Sequence, residues 1–367
     1  MPVVGHVGVI GAGLAGLAAA VAATQAGAQV DIFESAPAPA PLLAHVDVVP
    51  NLLRDLVALG VGEACVRLGF PYQGFAVLDG EGRTRFEVPT RHLAGTRFPS
   101  ALGMVYGTLL DVLRDAALAR GARMHAGCEV RDASDGGAIV TADGQRHAVD
   151  LVVIASGTTV PALGSRPARP LPLEALPQQW CHALLPRPPA LERAAWVIGT
   201  AGLKAMLVPV DTRRTGVAVL QPQSSGPPTA DSLPAALAGQ GRWLQSLAAQ
   251  CRPDTPLQIR PVRSGVLDDP WHERGTLRIG HSAHVLPPHF GQAAAQVVED
   301  AVVLGDLLRR RSERDELLQA FMRRRGERTR RVHAVTTQAA RWNLRPQAST
   351  DLQALAEQLG PLVERPA

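Results

Sequence analysis

The sequence is poor in lysine, in aromatic residues and in clustered charge, and these shortages argue against nucleic-acid binding. Lys204 is the only lysine among 37 basic residues, and the formal net charge of the 367 residues is +4. Nucleic-acid recognition requires a clustered basic face. The densest arginine stretches, residues 309–311 and 323–325, have acidic residues around them, which predicts a solvated helix face. We therefore expect no nucleic-acid partner.

Paired cysteines and long hydrophobic runs are also lacking. The four cysteines, Cys65, Cys128, Cys181 and Cys251, are too far apart for the C-x-x-C pattern of redox or zinc sites. Isolated thiols are typical of proteins in a reducing cytoplasm. A membrane-spanning helix requires about 20 apolar residues, and glycines interrupt the apolar stretch over residues 7–23. Because no signal-type segment opens the sequence, we expect a cytoplasmic protein that binds neither a metal ion nor a membrane.

The composition is that of a folded globular protein, and the first predicted elements form a β-α-β unit. Hydrophobic residues make up 46% of the sequence and charged residues 19%, which is ordinary for a folded protein. Residues 3–10 form an apolar, β-branched run typical of a buried parallel strand. Residues 14–26 are alanine-rich and favour a helix, and residues 29–33 predict the next strand.

The turn of this unit is a complete G-x-G-x-x-G motif, formed by Gly11, Ala12, Gly13, Leu14, Ala15 and Gly16. The first glycine permits the tight turn, the second lets the backbone approach a pyrophosphate, and the third lets the helix pack against the strand. The helix N-terminus offers unpaired N–H groups to the phosphates. Glu34, followed by Ser35, lies about 20 residues further on, where a carboxylate accepts from ribose hydroxyls. Because NAD(H) and FAD both use this motif, it predicts a dinucleotide without choosing between them.

Further elements follow along the chain. The pattern predicts a hairpin over residues 72–88, turns at 135–137 and 143–144, helices over 51–59, 108–120, 229–249, 292–310 and 313–340, and strands over 151–155, 194–220 and 276–279. Asn51 is predicted to cap its helix. The proline-rich residues 160–189 predict a crossover between lobes. This order predicts an α/β fold in which a sheet-rich domain is inserted into a dinucleotide-binding domain.

A second motif chooses between the two dinucleotides. It runs from Gly280 to Gln292 (GHSAHVLPPHFGQ), and Glu299-Asp300-Ala301 follows on a helix. Together with the first motif it resembles the class A flavoprotein monooxygenases, the FAD-dependent aromatic hydroxylases of the para-hydroxybenzoate hydroxylase type. The resemblance implies a Rossmann-like FAD-binding domain, an inserted α+β substrate domain and C-terminal helices. The expected ranges are 1–70, 100–160 and 276–310 for the FAD-binding domain, 71–99 and 161–275 for the substrate domain, and 311–367 for the helical segment.

The resemblance also implies a reaction and a set of cofactor contacts. In that family NADH or NADPH reduces the bound FAD, and an oxygen atom from O2 is inserted into a small aromatic or heteroaromatic substrate. The helix after the second motif points its N-terminus at the flavin, where its dipole favours negative charge on the reduced ring. Besides the first turn, Glu34 and Ser35, the implied FAD contacts are Ser156, Gly157, Gly280, His281, Pro287, Gly291, Gln292 and Ala293.

The sequence departs from the family at several of these positions. His281 stands where the family has the aspartate that holds the ribityl chain, and Tyr106 stands where an arginine is common. Residues 43–50, the flavin-loop segment, have lost both glycines of the family's mobile loop, so positive φ angles there are costly. Three hypotheses therefore stay open: a monooxygenase, an FAD oxidoreductase that inserts no oxygen, and a flavin-binding protein whose catalytic apparatus has decayed.

Three residues are candidates for a part in catalysis: His45, Pro287 and His289. His45 lies in the flavin-loop segment and His289 in the turn of the second motif, and histidine is the natural proton carrier near neutral pH. A hydrogen-bonded loop histidine is the alternative for each. In the family, the residue matching Pro287 lies beside the flavin ring.

Other polar residues near these motifs have simpler expected roles. His284 is expected to bond the backbone where the strand meets the helix. The only tyrosines, Tyr72 and Tyr106, either orient a phenolic substrate or pack through their rings. A homodimer bridged by the long C-terminal helix is a further hypothesis.

Overall fold

A computed structural model describes residues 4–38, 44–134, 137–163, 168–198, 204–223, 232–238, 241–252, 254–310, 313–345 and 349–367. The strands are β1 (His6–Ile10), β2 (Gln29–Glu34), β3 (His45–Val48), β4 (Phe70–Tyr72), β5 (Phe75–Leu78), β6 (Thr84–Val88), β7 (Ala101–Val105), β8 (Arg123–Ala126), β9 (Val130–Ser134), β10 (Ala138–Thr141), β11 (Arg146–Ala148), β12 (Leu151–Ile154), β13 (Glu174–Pro186), β14 (Ala194–Ile198), β15 (Lys204–Pro209), β16 (Arg214–Pro222), β17 (Gln258–Val266), β18 (His272–Glu273), β19 (Thr276–Arg278) and β20 (His284–Val285). The helices are α1 (Leu14–Gln25), α2 (Pro50–Ala58), α3 (Gly62–Leu68), α4 (Tyr106–Ala119), α5 (Ser232–Ala238), α6 (Arg242–Ala248), α7 (Gln292–Arg309), α8 (Arg314–Leu344) and α9 (Leu352–Glu364).

The first sheet contains the predicted β-α-β unit. Its six strands follow the order β18-β19-β12-β1-β2-β8, and β1 pairs in parallel with both β2 and β12. The central strands are apolar along their length because both faces are covered. Helices α1, α4 and α7 pack on one face, and the small sheet β9-β10-β11 packs on the other. The predicted α/β class is confirmed.

The second large sheet has eight strands in the order β20-β17-β13-β16-β15-β14-β5-β6. Its longest strand, β13, has 13 residues. The chain passes from β12 of the first sheet to β13 of the second, so the expected crossover lies before residue 174, and the rest of the proline-rich range is mostly strand. The strand tolerates its prolines because Pro177 lies in the irregular register between Ala175 and Gln179, and Pro186 ends the strand. One face of the sheet packs on α5 and α6. The other packs on the three-stranded sheet β3-β7-β4.

The predicted shorter elements agree with the structure apart from their ends. The hairpin β5-β6 and the helices α4 and α7 lie where the pattern predicts them. The helix expected over 229–249 is two short helices, and part of that span lies outside the described residues, as do residues 135 and 136 of a predicted turn. The last long helix, α8, has 31 residues.

Helix α9 ends the chain and lies across the junction of these layers. Leu355 and Leu359 pack against Leu286, Val332 and Val335. In the described part of the chain, no helix combines the length and apolarity needed to cross a membrane.

Candidate functional site

The glycines of the first turn have very different surroundings. Gly11 has φ +100, and a Cβ there would lie 2.7 Å from the carbonyl oxygen of Ala155 and 3.0 Å from the Cα of Ser156. A Cβ on Gly16 would lie 1.8 Å from the carbonyl oxygen of Gly11, so α1 can pack this closely only with glycine. Among the described atoms, none lies within 4 Å of a Cβ added to Gly13. Gly13 therefore faces open space, as expected of backbone that approaches a ligand.

The N-terminus of α1 and the end of β2 border this open space. Among the described residues no side chain caps α1, so its first N–H groups can bind an anion. The Glu34 carboxylate accepts from the N–H of Ala12 at 2.7 Å and from the N–H of Ala36 at 2.8 Å. The Ser35 hydroxyl also donates to Oε1 of Glu34 at 3.3 Å. These bonds fix the carboxylate, and Oε2 keeps a lone pair for a ribose hydroxyl. Ser35, the next residue, is exposed.

The second motif packs directly on the first. Gly280 has φ +55, and a Cβ there would lie 2.6 Å from the Cβ of Ala15 on α1. The Ser282 hydroxyl donates to the carbonyl oxygen of Gly157 at 2.8 Å, which ties the Ser156-Gly157 turn to the same place. The structure thus brings the two glycine motifs together, while their contacts with a cofactor stay a prediction.

The turn into α7 combines left-handed backbone with an amide pair. Gly291 has φ +65, and a Cβ there would lie 2.6 Å from Cγ1 of Val49. The Asn51 amide donates to Oε1 of Gln292 at 3.0 Å, and the Gln292 amide donates back to Oδ1 of Asn51 at 3.3 Å. The expected cap at Asn51 is wrong, because α2 begins at Pro50, whose fixed φ suits the first helical position. The Asn51 side chain instead holds the start of α2 to the start of α7.

A buried ion network supports the second motif from the side of α8. Asp300 accepts from the N–H of Gly280 at 2.9 Å, from Nε2 of His284 at 2.7 Å and from Nε of Arg325 at 2.7 Å. Burial raises the pKa of Asp300, but His284 and Arg325 lower it to about 2. Arg325, which is fully buried, also pairs with Glu299.

This network corrects two expectations. His284 bonds a carboxylate rather than the backbone. Arg325 does not lie on a solvated face, because the adjacent acids Glu299 and Asp300 on α7 need a cation inside the protein. Arg324, the preceding residue, pairs with Asp306 nearer the surface.

A cavity of about 740 Å³ adjoins the turn into α7. Its walls come from the flavin-loop segment and α2, from β4 to β7, from β14 and β15, from the α7 turn and from α9. Most of the lining is apolar, including Val49, Phe75, Val77, Phe86, Ala101, Ala194, Trp196, Phe290, Leu359 and Val363. A concave, mostly apolar space with a few polar groups is the usual form of a small-molecule site.

One polar pair in this cavity, Asp47 and Tyr72, is not predictable as a pair from the sequence. The Tyr72 hydroxyl donates to Oδ1 of Asp47. Burial raises the pKa of Asp47 to about 6, although the bond from Tyr72 opposes the rise. Burial and the adjacent carboxylate raise the pKa of Tyr72 well above its ordinary value. The Asp47 carboxylate can therefore accept a proton near neutral pH. The one available signal is a lone acid inside the apolar segment HVDVV.

Lys204 and His289 face the same cavity. Burial lowers the pKa of Lys204. Burial, together with the positive charge of Lys204, lowers the pKa of His289 to about 3. Within the described chain, neither ring nitrogen of His289 has a hydrogen-bond partner. At neutral pH His289 is therefore a neutral imidazole, available to bond a ligand but poorly suited to carry a proton.

His45 has different surroundings. Its ring packs on Gly216, where a Cβ would lie 2.1 Å from Cγ of His45, and its centroid lies 5.5 Å from that of His182. Burial lowers the pKa of His45 to about 4, so its ring is also neutral. Pro287 is buried. The catalytic parts expected of His45, Pro287 and His289 stay predictions.

Several features beside the two motifs suit an extended dinucleotide. His281 is exposed, yet burial, with the nearby His284 and Arg260, lowers its pKa to about 4. The exposed surface at Gly13, at the uncapped N-terminus of α1 and at His281, called the groove below, has the features that FAD requires. Among the described residues, no group of three or more His, Cys, Asp and Glu side chains could hold a metal ion.

Comparison with known families gives an independent assignment. The profile of the family described as FAD dependent oxidoreductase matches residues 53–351. The profile described as NAD(P)-binding Rossmann-like domain matches residues 9–56, which contain the first glycine motif. The first match spans most of the chain.

Individual relatives cover nearly the whole chain. The FAD-dependent urate hydroxylase of Klebsiella pneumoniae subsp. pneumoniae is 28% identical over 347 residues, covering 88% of this chain and 86% of that protein. The solved structure of Klebsiella pneumoniae HpxO complexed with FAD and uric acid has a TM-score of 0.81 at 23% identity, and the match covers 98% of this chain and 93% of that one. A mutant of 2-methyl-3-hydroxypyridine-5-carboxylic acid oxygenase has a TM-score of 0.81 at 19% identity, with 96% of both chains covered.

These matches confirm the resemblance to the FAD-dependent hydroxylases and the predicted fold class, an α/β protein with a Rossmann-like FAD-binding domain and C-terminal helices. The cofactor is FAD, and the protein is an enzyme. The chain belongs to the FAD dependent oxidoreductase family.

Proposed function

We propose that this chain is an FAD-dependent monooxygenase that uses NADH or NADPH and O2 to hydroxylate a small aromatic or heteroaromatic molecule. The observation that carries the proposal is the cavity of about 740 Å³ beside the turn into α7, because a mostly apolar space of substrate size adjoins the position expected for the flavin ring. Two of the similar proteins, a urate hydroxylase and a hydroxypyridinecarboxylic acid oxygenase, act on heteroaromatic rings by their names.

The FAD contacts follow from the two motifs. The adenosine half is expected along the first turn, with the pyrophosphate at the N-terminus of α1 and the ribose at Glu34 and Ser35. The remaining groove residues are Ser156, Gly157, Gly280 and His281, and the flavin ring is expected beside Pro287, Gly291, Gln292 and Ala293. FAD, when bound, supplies the electron transfer and the activation of O2, and the protein supplies binding and orientation.

The side chains of the cavity have separate tasks in this proposal. Asp47, held by Tyr72, accepts the proton of a ring hydroxyl, which makes the ring richer in electrons and easier to oxygenate. Trp196 and the apolar wall orient the ring. Helix α9 covers the cavity and excludes water, which suppresses wasteful release of H2O2.

The test is a reaction with isotopically labelled O2. Purified protein loaded with FAD is mixed with NADH or NADPH and a panel of phenols, hydroxypyridines and purines. We expect one group of compounds to accelerate coenzyme oxidation and to gain one labelled oxygen atom, measured by mass spectrometry. Asp47→Asn should bind the same compounds but hydroxylate them more slowly.

Two other outcomes would replace the proposal. Coenzyme or substrate oxidation that releases H2O2 and yields no labelled product would indicate an FAD oxidoreductase without oxygen insertion. A protein that takes up FAD but is not reduced by either coenzyme, or one that takes up no FAD, would indicate a decayed catalytic apparatus.

The domain division, the oligomeric state and the location belong to the same proposal. The division at residues 71–99 and 161–275 has support from the eight-stranded sheet, most of whose strands come from those ranges.

A homodimer has support from the exposed Phe86 on the edge strand β6, and sedimentation analysis tests it. A cytoplasmic location has support from the four free cysteines, and fractionation of cells tests it.

A further inference from the structure

The cavity beside the turn into α7 has a buried end and an open mouth. The lining residues Tyr72, Ala101 and Ala194 are buried, and they mark the inner end, where Asp47 accepts from Tyr72. Among the described lining residues, the exposed ones mark the mouth, and they are Phe86, Pro89, Arg91, Leu352, Gln353 and Ala356. Strand β6 and the segment after it therefore form one side of the mouth, and the first turns of α9 form another.

Two apolar rows on the eight-stranded sheet join the interior of the cavity to the mouth. In the first row, Trp196 on β14 pairs with Val77 on β5, which pairs in turn with Phe86 on the edge strand β6. The second row consists of Ala194, Phe75 and Val88. All six side chains line the cavity. Because neighbouring strands lie about 4.8 Å apart, each row extends about 10 Å to the edge of the sheet.

Helix α9 adds an apolar stripe to the same cavity. Its lining residues Leu352, Ala356, Leu359 and Val363 recur at the spacing of one helix face. Leu359 is buried, whereas Leu352 at the mouth is 38% exposed, and Phe86 on β6 is 55% exposed. A single exposed hydrophobic side chain is ordinary. Two that flank the mouth of one cavity extend its apolar wall to the surface, which is typical of a binding site.

The polar groups of the mouth are already bonded within the protein. Arg91 pairs with Glu364 at 2.9 Å. The Gln353 amide donates to a carboxylate one turn along α9 at 3.0 Å. Deeper in the cavity, by contrast, neither ring nitrogen of His289 has a partner in the described chain, and Asp47 can accept a proton. The polar end of a ligand is therefore stabilised inside the cavity, and its apolar end is stabilised at the mouth.

The size of the cavity also exceeds the needs of one ring. A cavity of about 150 Å³ holds a benzene molecule, whereas this cavity has about 740 Å³. Three fused flavin rings at the α7 turn take about 450 Å³ at that scale. The remaining space of about 300 Å³ is about twice what a single aromatic ring fills.

We propose that the outer half of the cavity, between Phe86 of β6 and Leu352 of α9, binds an apolar chain on the substrate ring, so that the enzyme selects alkyl-substituted aromatic or heteroaromatic molecules over the unsubstituted rings. The proposal rests on the proposed function in one respect, namely that the ring to be hydroxylated binds at the inner end. The ring places its hydroxyl or N–H group at Asp47, and the chain extends past Val77 to the mouth. Each methylene that leaves water there tightens binding by about three- to fourfold.

The test is a calorimetric titration with a homologous series. FAD-loaded protein without NADH or NADPH is titrated with 4-methyl-, 4-ethyl-, 4-butyl- and 4-hexylphenol. We expect the Kd to fall about three- to fourfold for each added methylene, and about a hundredfold or more over the whole series. Phe86→Asn and Leu352→Asn should each weaken binding by a factor that grows with chain length and reaches about tenfold for 4-hexylphenol, because only the longer chains reach the mouth.

The matched control is Leu118→Asn. Leu118 on α4 is 41% exposed, close to the 38% of Leu352, but it lies outside the cavity lining. Its replacement should leave the whole series unchanged. FAD content and melting temperature are measured for every variant, which identifies any that fails to fold. A Kd that does not fall with chain length overturns the proposal. An undiminished gain in both Phe86→Asn and Leu352→Asn also overturns it, as does an equal loss in Leu118→Asn or the absence of binding by every phenol of the series.

Two further measurements separate this proposal from the homodimer and from the proposed function. If Phe86→Asn dissociates a dimer in sedimentation analysis and leaves the chain-length series unchanged, Phe86 belongs to a subunit contact and the proposal is overturned. If labelled oxygen enters 4-methylphenol but the longer phenols bind no better, the proposed function stands and this proposal fails. If binding follows chain length and no labelled product forms, the outer half binds the chain as proposed, and it is oxygen insertion that fails.

Discussion

Gly13 and Gly16 have opposite surroundings. Replacing each by alanine therefore tests cofactor binding and folding separately. A Cβ on Gly16 would lie 1.8 Å from the Gly11 carbonyl oxygen, whereas no described atom lies within 4 Å of one on Gly13. We expect Gly16→Ala to lower the melting temperature strongly or to prevent folding. Gly13→Ala should fold normally and weaken FAD binding by about tenfold, because its methyl group occupies the approach to the pyrophosphate. Scanning fluorimetry and titration of the apoprotein with FAD measure the two effects, and normal FAD affinity in Gly13→Ala would contradict the assigned groove.

The raised pKa of Asp47 predicts that the free energy of unfolding depends on pH. Its folded-state pKa of about 6 lies above the ordinary value of 3.8. The cost of ionising it in the folded protein is therefore absent below about pH 4, grows with pH and is complete above about pH 6. We expect Asp47→Asn to raise the free energy of unfolding by about 1–3 kcal/mol at pH 8 and by less at pH 5. Urea unfolding at both pH values provides the measurement.

Asp79 is the control for this experiment. Backbone and side-chain bonds from Arg83 lower its pKa, so its charge is favourable and Asp79→Asn should bring no gain in stability at pH 8. An unchanged pH profile in Asp47→Asn would mean that Asp47 titrates as an ordinary exposed acid. It would also remove the proton acceptor from the proposed reaction.

Spacing along the chain predicts the residues of the two motifs because each motif acts through its own backbone. Gly11 and Gly280 have positive φ angles, and Gly16 lies too close to a carbonyl oxygen to carry a side chain. Only glycine meets these requirements, so the positions are recognisable in the sequence. Asp47 and Tyr72 meet across different strands of the same small sheet. No short pattern encodes such a meeting, so the cavity's polar groups had to come from the structure.

Helix α8 shows the same limit at the scale of an element. Its length follows from its sequence, but the depth of Arg325 depends on α7, whose Glu299 and Asp300 face it. Arg325→Met would leave these acids without their central cation. We expect a loss of about 3–5 kcal/mol in the free energy of unfolding, measured by urea unfolding. Arg331→Met, on an exposed position of the same helix, should change it by about 0.5 kcal/mol or less, and equal effects of the two substitutions would contradict the buried network.

Strand β13 illustrates a different limit, in which local composition hides an element. Prolines before and within it predict irregular backbone, yet it pairs with β16 over nine consecutive positions from Gln178 to Pro186. Pairing on both sides and burial of alternate side chains outweigh the weak local preference. The prolines are accommodated where the register with β17 is already irregular.

At the scale of the whole molecule, the cavity exists only because distant segments meet. The flavin-loop segment, β14, β15 and the α7 turn line it, and α9 lines another side. The βαβ unit and the second motif are each predictable, since one segment of chain specifies each. The cavity is bounded by the eight-stranded sheet, the three-stranded sheet and α9. Because these elements are far apart in the sequence, no single segment predicts its volume.

The role of α9 can be tested by filling the cavity from that helix. Ala356 and Gln358 are both exposed, but only Ala356, which is small, lines the cavity. We expect Ala356→Trp to weaken binding of the tightest-binding compound from the panel of phenols, hydroxypyridines and purines by about tenfold or more, because the indole occupies the space of the substrate ring. FAD affinity should stay normal, since the groove contacts described above do not involve α9. Gln358→Trp adds the same side chain to the solvent-facing side and should leave both affinities unchanged. Wild-type binding by Ala356→Trp would mean that the substrate lies elsewhere, and parallel loss of FAD would mean that α9 supports the groove as well as the cavity.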